Sequence, residues 1–248
     1  MTDEIYDLGQ GFWSIRGSFI KNGIIDIGVQ SALVQLASGR FIFLDSYTLT
    51  GKVRQQVMAL TNDGQDVEAV LNVHPFHTVH CAQMAKDFPE AIFYGSSRHH
   101  EQVPNVKWSK DLVESEAVTT RYAELEFSLP KGIYYIAPNE NVHASSLLVY
   151  HPASKSLYID DTFEIQPSKL FNTVQPSLGL HPTTKQALID EATASEQYCD
   201  WAINLAHTWR DARYFCGAHS GLVEFGEGKF ESALLSAIDT ARSELQSR

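Results

Sequence analysis

The chain is 248 residues long, 44% hydrophobic and 20% charged, with a formal net charge of −11. That length suffices for a real core without staples, and the balance is that of a globular protein. The acidity excludes a function that depends on neutralising a phosphate backbone with Lys and Arg, while leaving cation binding open.

The first half reads as short strands separated by turns. "SALVQLA" (31–37) and "RFIFLD" (40–45) are β-like runs joined by Ser38-Gly39, a hairpin signal. In "TGKVRQQVMAL", Val53, Val57 and Leu60 have helical spacing. "EAVLNV" (68–73) is an apolar strand, and the histidines of "NVHPFHTVHC", His74, His77 and His80, follow where it ends. From His80, "HCAQMAKDF" reads as a helix with Cys81, Met84, Ala85 and Phe88 on one face, and "AIFYGS" (91–96) as a strand.

The second half repeats this grammar. "GIYYIAP", "SSLLVYH", "KSLYIDD" and "ARYFCGAH" read as strands. A long helix, starting near Thr183 with Gln186 completing a capping box, separates the last two. A final helix follows Gly228, with Phe230, Leu234, Ile238, Ala241 and Leu245 on its buried face. The Pro- and Ser-rich segment 166–185 is the longest irregular stretch and reads as a lid. The pattern predicts an α+β protein of two mixed β-sheets with helices on the outer faces, in a single domain over 1–248.

Cys81, Cys199 and Cys216 form no CxxC pair and are odd in number, which argues against a disulfide framework and for a reducing compartment. The acidic start, "MTDEIYDLGQ", has no apolar signal region, and no run approaches the ~20 apolar residues of a membrane span. A cytoplasmic location is expected, with a small-molecule substrate and neither nucleic acid nor membrane as partner.

Polar residues end the apolar strands. Asp45 ends "FIFLD", the histidine trio follows "VLNV", His143 precedes "ASSLLVY", Asp160 and Asp161 end "SLYI", and His219 ends "RYFCGAH". Imidazoles and carboxylates at strand ends are the donors of a zinc, iron or manganese site that needs no thiolate. Asp160 reads as a solvent-facing residue or a turn residue. His99, His100, His151, His181 and His207 read as structural or surface groups.

This order of strand-Asp, His cluster before a helix, His before a strand, Asp-Thr after a strand and a late Gly-x-His resembles the metallo-β-lactamase superfamily over roughly residues 10–225. "FIFLDS" is similar to the family's strand ending in D-[ST]-G, "HASSLLVYHPASKSLYIDDTF" to its ligand His followed by G-D-T, and "GAHSG" to its G-H-G. The resemblance implies a four-layer αββα sandwich with a metal site at one edge. It implies His77, His80, His143, Asp161 and His219 as metal ligands, with Asp161 and His219 also at the catalytic centre, and it places Asp45 beside the site.

The opening motif departs from the family's H-x-H-x-D-H, because Pro75 stands at its first His and Val79 at its Asp. His74, one residue early, is a substitute for the first. Valine cannot replace aspartate, so the two-metal site is incomplete and one zinc ion is expected rather than two, with iron, manganese or no metal as alternatives. The expected function is metal-dependent hydrolysis of a small ester, lactone, thioester or amide through activated water. A mononuclear iron or redox protein and a catalytically inactive small-molecule-binding protein are the alternatives on the same fold.

Overall fold

The computed structural model describes residues 3–18, 20–21, 25–26, 28–166 and 177–246. They fall into two compact units, Met1–Glu126 and Phe127–Arg248.

The first unit is built on a six-stranded sheet. Its strands are β1 (Glu4–Asp7), β2 (Phe12–Gly17), β5 (Val29–Gln35), β6 (Phe41–Leu44), β7 (Val67–Leu71) and β8 (Ile92–Tyr94), hydrogen-bonded in that order. A two-stranded ribbon, β3 (Ile20–Lys21) with β4 (Ile25–Asp26), lies between β2 and β5 in sequence. β1, β2, β5 and β6 pair antiparallel, and β6, β7 and β8 pair parallel. The β5–β6 turn closes where expected, with Gly39 at φ +83°. The parallel pairs need crossovers, and helices α1 (Gly51–Leu60) and α2 (Cys81–Asp87) supply them. Val53 and Val57 of α1 and Cys81 and Met84 of α2 pack into one core with Phe41, Phe43, Val70 and Phe88. Leu60, which shares the helical spacing of Val53 and Val57, is the last residue of α1 and is 37% exposed. Two short helices, α3 (Ser97–Gln102) and α4 (Glu116–Arg121), complete the unit.

The second unit carries a five-stranded sheet in the order β15 (Gly221–Glu224), β14 (Tyr214–Gly217), β11 (Ser156–Asp160), β10 (Leu148–His151) and β9 (Glu126–Ser128). β11 and β14 are parallel, while β10/β11 and β14/β15 are antiparallel. A hairpin, β12 (Phe163–Gln166) with β13 (Ser177–Leu180), follows β11. Helices α5 (Ala194–Thr208) and α6 (Lys229–Gln246) bury Tyr198, Cys199, Ala202 and Leu205 and Phe230, Leu234, Ile238 and Leu245 respectively in the core with Leu157, Ile159 and Phe215. No helix among the described residues is long and apolar enough to cross a membrane.

Two expected elements are corrected. "GIYYIAP" is not a strand: Gly132 sits at φ +74°, and the segment makes only an isolated bridge between Ile133 and Leu188. The long helix begins at Ala194, not Thr183, because the Thr183 hydroxyl bonds to His181 Nδ1 at 2.9 Å instead of capping a helix. Of the expected lid, the described flanks are the arms of the β12–β13 hairpin and a 3-10 turn at Lys185–Ala187, and 167–176 lies outside the described residues.

Candidate metal centre

Parallel pairing places the ends of two strands side by side in each unit, which is where sites form in such sheets. In the first unit Leu44 pairs with Leu71, and the Asp45 N–H donates to Leu71 O at 2.8 Å. Asp45 therefore stands beside the segment that leads into the histidines. Its buried carboxylate accepts from the Val73 N–H at 2.8 Å and faces the His74 N–H at 3.4 Å. Asn72, missed by the sequence reading, ties three ends together. Its Oδ1 accepts from the Ser46 N–H at 3.1 Å and from the Cys81 thiol at 3.4 Å, and its Nδ2 donates to Tyr94 O at 3.1 Å.

The three histidines of this loop have different surroundings. His74 is fully buried, its Nδ1 accepts from the Phe76 N–H at 3.2 Å, and its ring stacks on that of His77 with centroids 4.0 Å apart and planes at 21°. His80 lies 2.9 Å through Nδ1 from Thr48 Oγ1 and edge-on to Tyr47. Burial, and next the neighbouring His77, hold the His80 ring below the ordinary histidine range. A neutral imidazole whose Nδ1–H is given to an oxygen offers its Nε2 lone pair to a metal, and such outer partners fix ligand orientation. Pro75 is buried, whereas Val79 is 68% exposed.

In the second unit the parallel β11 and β14 set Asp160 opposite Gly217, and Ala218 N–H donates to Asp160 O at 3.2 Å. Asp161 and His219 thus come together, with His219 Nε2 3.6 Å from Asp161 Oδ1; the Asp161 side chain is 5% exposed and that of His219 34%. The turn is pinned from below, since Ser146 Oγ donates to Ile159 O at 2.7 Å and lies 2.9 Å from Thr162 Oγ1. Asp160 is the last residue of β11, at φ +58°, and is 2% exposed, so neither the solvent-facing nor the turn position expected of it holds. His143 Nε2 lies 2.6 Å from Glu140 O.

Two residues of this group were not singled out from sequence. His181, read as structural, is held below the usual histidine range by burial, against the pull of Asp161 and with His143 and His219 opposing its protonation. Glu164, on β12, is raised by burial and by Asp161, with His219 acting the other way. Its Oε1 is 3.9 Å from His181 Nε2. Glu164 stands on the hairpin and His181 directly follows its second strand, and no sequence pattern announced that pairing. Of the other histidines, His151 bonds Ser154 at 2.8 Å and His207 bonds Glu231 at 2.8 Å, away from these groups.

Among the described residues, His74 and His77 in the first unit, and Asp160, Asp161 and His219 in the second, carry imidazoles and carboxylates of the kind that could ligate an ion. Imidazole with carboxylate fits a zinc, iron or manganese ion by donor chemistry.

No protein-family model and no curated protein matches this sequence. Solved structures do match. The metallo-β-lactamase DIM-1 exposed to ceftazidime superposes with a TM-score of 0.62 at 15% identity, covering 96% of this chain and 97% of that chain. A metallo-β-lactamase from Erythrobacter litoralis with β-mercaptoethanol in its active site gives 0.61 at 15%, covering 96% of each chain. The metallo-β-lactamase FIM-1 from Pseudomonas aeruginosa in its mono-zinc form gives 0.60 at 12%, covering 98% and 97%. At such identities the likeness is one of fold. The chain has the metallo-β-lactamase fold, the αββα sandwich, in a sequence that has diverged far from these proteins.

Proposed function

We propose that this protein is a metal-dependent hydrolase of a small ester, lactone, thioester or amide. Its ion, zinc in this reading, is assigned to His77, His80, His143, Asp161 and His219. The assignment rests on the order of motifs along the chain and on the fold. The single observation that carries it is the buried Asp161 carboxylate with His219 Nε2 3.6 Å away at the end of the parallel β11–β14 pair. A buried carboxylate beside an imidazole is costly unless a cation or proton compensates it.

When bound, such an ion lowers the pKa of water and polarises a carbonyl. Asp161 would supply the negative charge that a divalent ion needs, and His219, the more exposed of the pair, would supply a neutral imidazole nitrogen beside it. Val79 and Pro75 supply no donor for a second ion, so one ion is favoured. That FIM-1 has a mono-zinc form supports a one-ion site on this fold. A cytoplasmic location follows from the cysteine usage in this reading.

Elemental analysis after dialysis tests the proposal. The expected result is about one zinc per chain, lost in Asp161→Asn, as a missing ligand requires. Iron with a redox-active spectrum would move the reading to a redox protein, and no metal at all to a binding protein. Robust β-lactam turnover with two tightly held zinc ions would overturn the one-ion assignment.

A further inference from the structure

His74 lies one residue from where the family's motif places its first histidine, and its role differs from that of a ligand. Two imidazoles are stacked in the first unit, and a third ring, Phe76, packs against them at an interplanar angle of 60° to His74. The Arg98 guanidinium sits over Phe76 at 4.6 Å, Phe76 lies 6.1 Å from the His74 ring, and His74 stacks on His77 at 4.0 Å. The Phe76 N–H donates to His74 Nδ1, which makes Nε2 the protonated nitrogen of a neutral ring. To ligate through Nε2, His74 would have to move its proton to Nδ1, which would then face the Phe76 N–H donor at 3.2 Å. Its ring is fully buried and so held in one orientation. His77, by contrast, is half-buried.

We propose that His74 is a positioning residue: its buried ring is the platform that fixes the plane of the His77 imidazole, and it donates no lone pair to the metal. The inference rests on the reading of His77 as a metal ligand. Phe76, tilted against His74 and covered by the Arg98 guanidinium, packs beside that platform. Pro75 restricts His74 to an extended backbone, which keeps the platform in register with His77. The feature that makes His74 a platform is its flatness, so another flat ring should serve.

The test uses the full chain and cobalt(II) as probe, reading stoichiometry, affinity and the visible d–d absorption of the bound ion. Wild type, His74→Phe, His74→Ala, Phe76→Ala and His77→Ala are compared, each checked for folding by circular dichroism. His77→Ala should lose cobalt binding. His74→Phe should keep the wild-type stoichiometry and d–d band, with affinity within about threefold, because ring stacking survives. His74→Ala should weaken binding about tenfold, as loss of an orienting partner does. Phe76→Ala removes the ring tilted against His74 and no imidazole, so it should weaken binding about threefold with the band position unchanged. It keeps the test alive if His74→Phe fails to fold.

Equal loss in His74→Phe and His74→Ala with a shifted band would make His74 a ligand and overturn this inference alone. Wild-type affinity in both His74 variants, or in Phe76→Ala, would also overturn it. No cobalt bound by wild type, or full binding by His77→Ala, would sink the metal reading and this inference with it.

Discussion

Asp45 Oδ1 accepts the Val73 N–H at 2.8 Å, so the residue that closes one strand holds the backbone that leads into the histidine loop. Asp45 is 1% exposed and sits at φ +57°, a region Asp and Asn tolerate better than other β-carbon residues. Asp45→Ala should lower the unfolding free energy by about 2–3 kcal/mol, since it orphans buried donors that faced a charged acceptor. Asp45→Asn keeps an oxygen and tolerates the backbone, and should cost about half as much. Urea denaturation of the three proteins checks this, and equal midpoints would refute the clamp.

His99 predicts how stability depends on acid. It is fully buried in α3, its Nδ1 accepts from the Ser96 N–H at 3.1 Å, and burial first, then His74, His77 and His100, push it down to about 3. In the unfolded chain it titrates at the ordinary value of 6.5. Below 6.5 the unfolded state therefore binds a proton that the folded state refuses, and stability falls as pH drops from 6.5 toward 3. Above 6.5 the group contributes no slope. His99→Phe should flatten this part of the profile relative to wild type. His80 and His181, also depressed, will leave a residual slope. An unchanged profile would mean that His99 charges in the folded protein.

Val79 offers a clean way to restore a metal-binding carboxylate. Because it is 68% exposed, Val79→Asp should change stability by less than about 0.5 kcal/mol. Under identical zinc loading and dialysis the variant should retain more metal than wild type, since an added anionic ligand offsets the charge of a second ion. Unchanged metal content in a folded variant would mean that this loop has drifted from the family's geometry.

Gly132 and Gly39 share a positive φ, +74° and +83°, but not their surroundings. A β-carbon at Gly132 would lie 2.1 Å from the backbone Ala194 O, whereas at Gly39 it meets nothing within 4 Å. Gly39→Ala should cost only the left-handed strain, about 1–2 kcal/mol. Gly132→Ala should cost about 3 kcal/mol or more, because backbone must shift as well. Thermal denaturation of both variants distinguishes the two.

Much of the fold was legible in short-range patterns. The period of Phe230, Leu234, Ile238 and Leu245 marks the buried face of α6, and the apolar runs ending in Asp45, Asp160 and His219 mark strands that lie where expected. Such patterns are local: a helix or strand must turn its apolar side to the core, and the spacing records it. Local signals also misled. Thr183 and Gln186 have the spacing of a capping box, yet His181 takes the Thr183 hydroxyl. "GIYYIAP" is apolar enough for a strand, yet Gly132 leaves the sheet path there.

The candidate site divides in the same way. Its donor types and their positions at strand ends stand in the sequence, because a carboxylate or imidazole that closes an apolar run has few uses in a core. Which of them meet was decided by tertiary structure. Asp161 and His219 come together because two strands from distant parts of the chain pair parallel in one register. Glu164 and His181 join those surroundings only through the hairpin beside that pairing, and Asn72 reaches Ser46 only because β6 and β7 pair parallel in the first unit. The protonation of His181 and Glu164 is set first by burial, and burial depends on the whole packed unit and not on a residue's neighbours in sequence.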